Sequence, residues 1–192
     1  KHIILLPGRL TEWKGQLVAI EAAKILSLNN PDFEFLMLIV GSEQNRKGYL
    51  KKIKKFIKKL DIGSHVLCLG NRTDMPSIYS TADVVISSSI EPEAFGRVSA
   101  EASAMGKPII ATDIGGSKDI VINKKTGWLI KENDPDILAM KIMEVVRLTQ
   151  KQKDKIGNLA RIRIKEKFEM VDMLKKETKI YENLIKSKSF NC

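Results

Sequence analysis

The feature that most constrains this chain is a rhythm. Short apolar runs, HIILL (2–6), FEFLMLIV (33–40), HVLCL (65–69), DVVISSS (83–89), PIIAT (108–112) and GWLI (127–130), alternate with amphipathic stretches near 15–29, 48–60, 75–81, 96–105 and 135–148. Several runs are apolar without strict alternation, as strands buried on both faces should be. Parallel strands need crossovers, and the amphipathic stretches supply them. The expectation is an α/β fold: a Rossmann-like parallel sheet of about six strands with helices on both faces. Beyond Gln150 the strand signals stop, and polar helical sequence continues to about Lys188.

Ligands of such sheets bind beyond the carboxyl ends of the strands, so the strand-to-helix corners are where chemistry is sought. The first corner is PGRLTEWKG (7–15), where Gly8 and Gly15 keep the loop compact and Arg9 and Lys14 flank it. Two cations beside a helix start suit a diphosphate, because helix N–H groups and charge-assisted hydrogen bonds both favour an anion. Two solvated surface cations would read the same way. No G-x-x-x-x-G-K-[ST] phosphate loop exists in the chain. The next corner, GNRTDMPSIYSTADV (70–84), places Asp74 to cap a helix with Pro76 in its first turn. Arg72 there can stack on a nucleobase or pair with a phosphate, or belong to an ordinary loop.

The corner EPEAFGRVSAE (91–101) is the densest in charge. The N–H groups of Phe95, Gly96 and Arg97 can meet an anion, and Gly96 would admit it close to the backbone. Glu93 precedes the helix and Glu101 lies one to two turns inside it. Arg97 opposes the helix dipole, so an anion nearby must offset it: Glu91, Glu93 or a phosphate. In ATDIGGSKDIV (111–121) the Gly115-Gly116 pair reads as a flexible turn in a simple loop.

Charge narrows the partners. With 33 Lys and Arg against 23 Asp and Glu, the net charge is +10, which admits nucleic acid, acidic membranes or phosphorylated small molecules. Nucleic acid is disfavoured: 6% of residues are aromatic and no reading motif is present. Cys68 and Cys192 give neither a disulfide framework nor a metal-ligand spacing, so a reducing cytosol is expected and no metal site. Apolar runs such as FLMLIVG are far shorter than a membrane span. Beginning at Lys1 and entering an apolar run at once, the chain reads as a piece of a longer protein.

Taken together, GRLTEWKG, GNRTDMPSIYSTADVVISSS and EPEAFGRVSAEASAMGKPIIATDIGGSKDIV resemble the C-terminal, donor-binding half of retaining GT-B glycosyltransferases of the family 4 type. The E-x7-E pattern is Glu93 to Glu101, and the resemblance covers residues 1–185 or so. It implies two Rossmann-like domains facing across a cleft. Residues 1–170 would form the domain that binds a nucleotide-diphosphate sugar, and 171–192 a C-terminal helix packing toward an absent N-terminal acceptor domain. It further implies that Arg9 and Lys14 sit on the donor diphosphate and that Glu101 holds the ribose hydroxyls. Glu93 would bind hydroxyls of the transferred sugar. Phe95, Gly96 and Arg97 would meet sugar or phosphates through their backbone, Gly8 would belong to the same donor site, and the loop at Arg72 would contact the base. Arg97 stands where many members carry an apolar residue, which leaves the role of its side chain open. The resemblance implies retaining transfer with Arg9, Lys14 and Glu93 at the reaction centre, no metal or other cofactor, and polysaccharide or lipopolysaccharide biosynthesis in the cytoplasm.

Two rivals stand beside it. Sugar-nucleotide epimerases share the two-domain fold. The stretch YLKKIKKFIKKL (49–60) sets Tyr49, Leu50, Ile53, Phe56, Ile57 and Leu60 on one face and lysines elsewhere. That pattern fits an interfacial helix at the inner face of a membrane. It also fits a crossover helix with Ile53, Phe56, Ile57 and Leu60 buried on the sheet, which the following strand favours.

Overall fold

The computed structural model describes residues 1–44 and 48–188; Cys192 lies outside the described residues. Six strands form one parallel sheet: β1 (His2–Pro7), β2 (Phe35–Val40), β3 (Val66–Gly70), β4 (Val84–Ser87), β5 (Ile109–Thr112) and β6 (Trp128–Ile130). Their order is β3-β2-β1-β4-β5-β6. The chain builds outward from β1 to β3 on one side, then returns to lay β4 on the other side of β1. The reversal falls between β1 and β4, where Ile4 pairs with Val84 and Leu5 with Val85. It opens a crevice at the carboxyl ends of those two strands.

Helices α1 (Gln16–Asn29), α2 (Tyr49–Lys59) and α6 (Pro135–Val146) cover one face. Ala19, Ala22 and Ala23 of α1 are fully buried in that layer, beside Leu138, Ala139 and Ile142 of α6. Small side chains let two helices and the sheet approach closely. The other face carries α3 (Met75–Thr81), α4 (Arg97–Ala104) and α5 (Ser117–Ile120), which pack Ile78, Val98, Ala102 and Ile120 against Leu5, Val85 and Ile109. Helix α7 (Gln150–Phe168) lies over α4, starting at a capping box made by Thr149 and Gln152. Helix α8 (Met170–Lys188) follows Glu169, whose backbone is extended. It leaves Leu174, Ile180 and Tyr181 at least half exposed to solvent, Tyr181 at 64%.

Two expectations are adjusted. In α2, Ile53 and Ile57 are buried, but Phe56 and Leu60 are only half-buried along the rim of the same contact. The six lysines all point to solvent, so α2 spends its apolar side on the sheet as a crossover. The stretch read as a simple loop contains α5. Burial of Ile120 and Val121 holds this one turn down, and Arg163 of α7 donates to the carbonyls of Asp119 and Ile120 that end it. No described helix is long and apolar enough to cross a membrane.

Candidate functional site

A pocket of 260 Å³ lies at the crevice between β1 and β4. The β1 corner supplies Gly8, Arg9 and Lys14, the β3 corner Arg72, the β4 corner Glu93, and α4 Arg97 and Glu101. The topology brings these together from corners spread between residues 8 and 101. A larger cavity of 760 Å³ lies between α1 and α6, lined by Ile25, Met140 and Arg147. None of the corner residues reaches it, so size alone does not mark the site.

The β1 and β4 corners are laced together. Ser88 donates to the carbonyls of Lys14 and Gly15, and Ile90 N–H to that of Trp13. Gln16, buried at the start of α1, donates to the carbonyl of Arg9. These bonds place Lys14 Nζ 2.6 Å from Glu93 Oε1, with the two side chains only 12% and 11% exposed. Ser89 donates to the same Glu93 oxygen, and Lys14 Nζ lies 4.6 Å from the ring centre of Trp13. Glu93 is therefore the partner of Lys14 and not of Arg97. Neither Arg9 nor Arg97 has an ion-pair partner among the described residues, and Glu91 is exposed outside the pocket. The anion expected to offset Arg97 is not a protein carboxylate paired with it.

Glu101 stands one turn beyond Arg97 on the same face of α4 and accepts a 2.8 Å hydrogen bond from the hydroxyl of Tyr79 on α3. Burial, and then the charge and hydrogen bond of Glu101, push the Tyr79 phenol far above its ordinary value, so it stays a donor. The sequence reading passed over Tyr79. Its one sequence signal was an apolar ring at the core-facing position of α3.

Asp74 does not cap α3. Its carboxylate accepts both Nε and Nη2 of Arg72, at 2.9 and 2.7 Å. That fork holds the Asp74 carboxyl below the usual range. Arg72 lines the pocket with its charge already matched, in a solvent-exposed pair of little energetic weight.

Phe95 and Gly96 do not line the pocket. The Phe95 ring meets Phe168 of α7 edge-on at 5.9 Å. Gly96, at φ 82°, begins α4 without a side-chain cap, but the space beside its Cα is not open to a ligand. A Cβ there would lie 2.9 Å from the Ser117 nitrogen. The Gly115-Gly116 pair is equally tight. A Cβ on Gly116 would come 2.3 Å from the Phe95 carbonyl, and Gly116 N–H donates to the Glu93 carbonyl. The supposed flexible turn is a brace under the loop that carries Glu93. Cys68 sits half-buried in β3, its thiol pushed up by burial, and takes no part.

Among the described residues, no group of three or more His, Cys, Asp or Glu side chains could hold a metal ion. The pocket therefore combines two unpaired guanidinium groups, one lysine-carboxylate pair and one oriented carboxylate. Such a set can bind a polyanion on one side and hydroxyl groups on the other.

In sequence and in fold the chain is similar to known proteins. The family model for glycosyl transferases group 1 matches residues 1–163. D-inositol 3-phosphate glycosyltransferase of Paenarthrobacter aurescens is 31% identical over 159 residues, which are 82% of this chain and 38% of that protein. The crystal structure of a glycosyltransferase from Rickettsia africae superposes with a TM-score of 0.90 at 36% identity, covering 96% of this chain and 48% of that one. Anabaena HepE in complex with UDP-glucose superposes with a TM-score of 0.87 at 26% identity, over 95% of this chain and 49% of that one. The chain thus spans less than half the length of these relatives. With the matched residues covering most of its length, the chain belongs to the glycosyl transferases group 1 and has the Rossmann-like fold of the C-terminal half of a GT-B enzyme.

Proposed function

We propose that this chain is the donor side of a retaining glycosyltransferase, which binds a nucleotide-diphosphate sugar while the remainder of a longer polypeptide holds the acceptor. The observation that carries the reading is the charge arrangement at the crevice. Arg9 and Arg97 have no ion-pair partner among the described residues, and Lys14 and the two carboxylates Glu93 and Glu101 line the same pocket.

In this reading Arg9 and Lys14 meet the diphosphate, assisted by Arg97 at the uncapped start of α4. Their charge stabilises the diphosphate as the glycosidic bond to it breaks, and the departing phosphate helps take the acceptor's proton. The reading gives this work to side-chain cations rather than to a metal ion. Glu93, at the mouth of the β4 corner, accepts from hydroxyls of the sugar. Glu101 accepts from the ribose. The neighbouring structure that holds UDP-glucose makes uridine diphosphate the first nucleotide to try. The apolar side chains that α8 exposes, Leu174, Ile180 and Tyr181, suit packing against the remainder of the polypeptide.

Calorimetric titration with UDP-, GDP- and ADP-sugars and the matching diphosphates tests the reading. Saturable binding of one nucleotide series is the expected result. No binding by any series, with the fold intact by circular dichroism, would overturn it. Assay of the longer polypeptide for sugar transfer against epimer formation separates transferase from epimerase.

A further inference from the structure

We propose that Tyr79 is a positioning residue for nucleotide recognition: its hydroxyl fixes the Glu101 carboxylate so that the group can accept from both hydroxyls of a ribose. The proposal rests on the donor-binding reading above and adds a residue that reading does not contain.

Glu101 is exposed at the pocket wall. A glutamate there would sample several rotamers, and holding one of them costs side-chain entropy on binding. A vicinal diol needs two acceptor sites at a fixed spacing, so a freely turning carboxylate is a poor partner. Tyr79 removes that freedom before the ligand arrives. Its ring is 2% exposed, packed in the layer of Leu5, Val85, Val98 and Ala102. The ring cannot follow Glu101 outward, and its hydroxyl donates to Oε2 at 2.8 Å. Each carboxylate oxygen offers two lone pairs, so Oε2 keeps one and Oε1 keeps two for the diol.

Other features of the contact exclude a simpler role. Glu101 has no ion-pair partner among the described residues, although Arg97 lies one turn away on the same face of α4. The carboxylate is held by a neutral donor and not neutralised by a cation. A neutral donor orients the group while leaving its charge for the ligand. The phenol also stays protonated, because burial and the Glu101 charge both oppose its ionisation. Tyr79 comes from α3 and Glu101 from α4, which pack on the same face of the sheet. The contact is thus set by the core.

The test is a binding matrix: wild type, Tyr79→Phe and Glu101→Gln, each titrated with uridine diphosphate and with 2′,3′-dideoxyuridine diphosphate. Thermal unfolding of each variant accompanies it. Tyr79→Phe keeps the buried ring and removes only the hydroxyl. It is expected to weaken uridine diphosphate by roughly threefold to tenfold and to leave the dideoxy ligand within about twofold of wild type. Equal weakening of both ligands by Tyr79→Phe would mean a general structural role and would overturn the proposal. So would an unchanged affinity for uridine diphosphate while wild type still prefers it over the dideoxy ligand; in that case the donor-binding reading survives without Tyr79. If wild type itself shows no preference for the intact ribose, Glu101 is not a ribose acceptor, and that part of the donor-binding reading falls along with the proposal.

Discussion

The two walls of the crevice carry their charges differently. On the β1–β4 wall, Lys14 and Glu93 neutralise each other at 2.6 Å, nearly buried and tied to Ser89 and Trp13. Around the rest of the pocket, Arg9 and Arg97 have no ion-pair partner among the described residues, and Glu101 is held by an uncharged tyrosine. The first wall has its charges matched before any ligand enters. The second is unmatched and depends on a ligand for compensation. The difference teaches that cations of one pocket are not equivalent. Removing a charge from the matched wall also exposes its partner, whereas removing one from the unmatched wall exposes nothing.

The largest expected effect follows from that asymmetry. Lys14→Ala deletes a phosphate contact and bares Glu93 beside the diphosphate, so affinity for a nucleoside diphosphate should fall at the upper end of the roughly 10- to 100-fold range for a charge-assisted contact. Arg9→Ala should cost about tenfold, because no carboxylate is left behind. Adding Glu93→Ala to Lys14→Ala should recover part of the loss, while adding it to Arg9→Ala should recover no more than the up to about threefold expected of Glu93→Ala alone. Calorimetry on the four variants settles the order. If Arg9→Ala is the more damaging and the double variants show no recovery, the two walls are alike. Added salt should shrink both losses.

Next comes the brace beneath the matched wall. Gly116→Ala would force a Cβ to 2.3 Å from the Phe95 carbonyl. The loop bearing Glu93 must shift, with an overpacking cost of about 1–3 kcal/mol. The midpoint of thermal unfolding should drop, and nucleotide-sugar affinity should fall with it. An unchanged midpoint would show that the brace yields freely.

A smaller effect is expected for Glu93→Ala alone. It releases Lys14, so free nucleoside diphosphate should bind as well as before or up to about threefold better. The sugar-bearing donor should bind several-fold less tightly, having lost an acceptor for its hydroxyls. Equal weakening of both ligands would sink the sugar role of Glu93.

The smallest effect concerns the donor that holds Glu101. Tyr79 ionises far less readily in the folded chain than at its ordinary 10.0, and Tyr49 is pushed up to about 12 by burial and by Glu12. The unfolded chain therefore loses these protons first. The stability they contribute is complete below pH 10 and declines above it, by about 1.4 kcal/mol per pH unit for one such tyrosine. Urea unfolding between pH 8 and 11.5 should show the decline, and Tyr79→Phe should make it shallower. An identical slope in the variant would mean that Tyr79 ionises as easily folded as unfolded.

Much of the frame was legible in the primary structure. HIILL and PIIAT read as strands because both faces of β1 and β5 are buried and therefore apolar. The corners were legible too, since Arg9, Lys14, Arg72, Glu93, Arg97 and Glu101 do line one pocket. The α5 turn was not, because a Gly-Gly pair signals flexibility when nothing reveals the backbone packed on it. Phe95 and Gly96 were expected at the ligand through their backbone; what their local sequence does not show is that the ring of Phe95 packs on Phe168, 73 residues further on, and that Gly96 packs against Ser117.

The sequence by itself determined the parallel sheet and the edge on which the charged corners gather. Those follow from periodicity and residue type, which act over a few neighbouring positions. Only the tertiary structure decided the pairings: Lys14 with Glu93, Arg72 with Asp74, Tyr79 with Glu101, and Arg9 and Arg97 with no carboxylate among the described residues. The physical reason is range. A charge accepts any opposite charge within a few ångströms, and which one arrives there is fixed by strand order and by close backbone packing across the crevice.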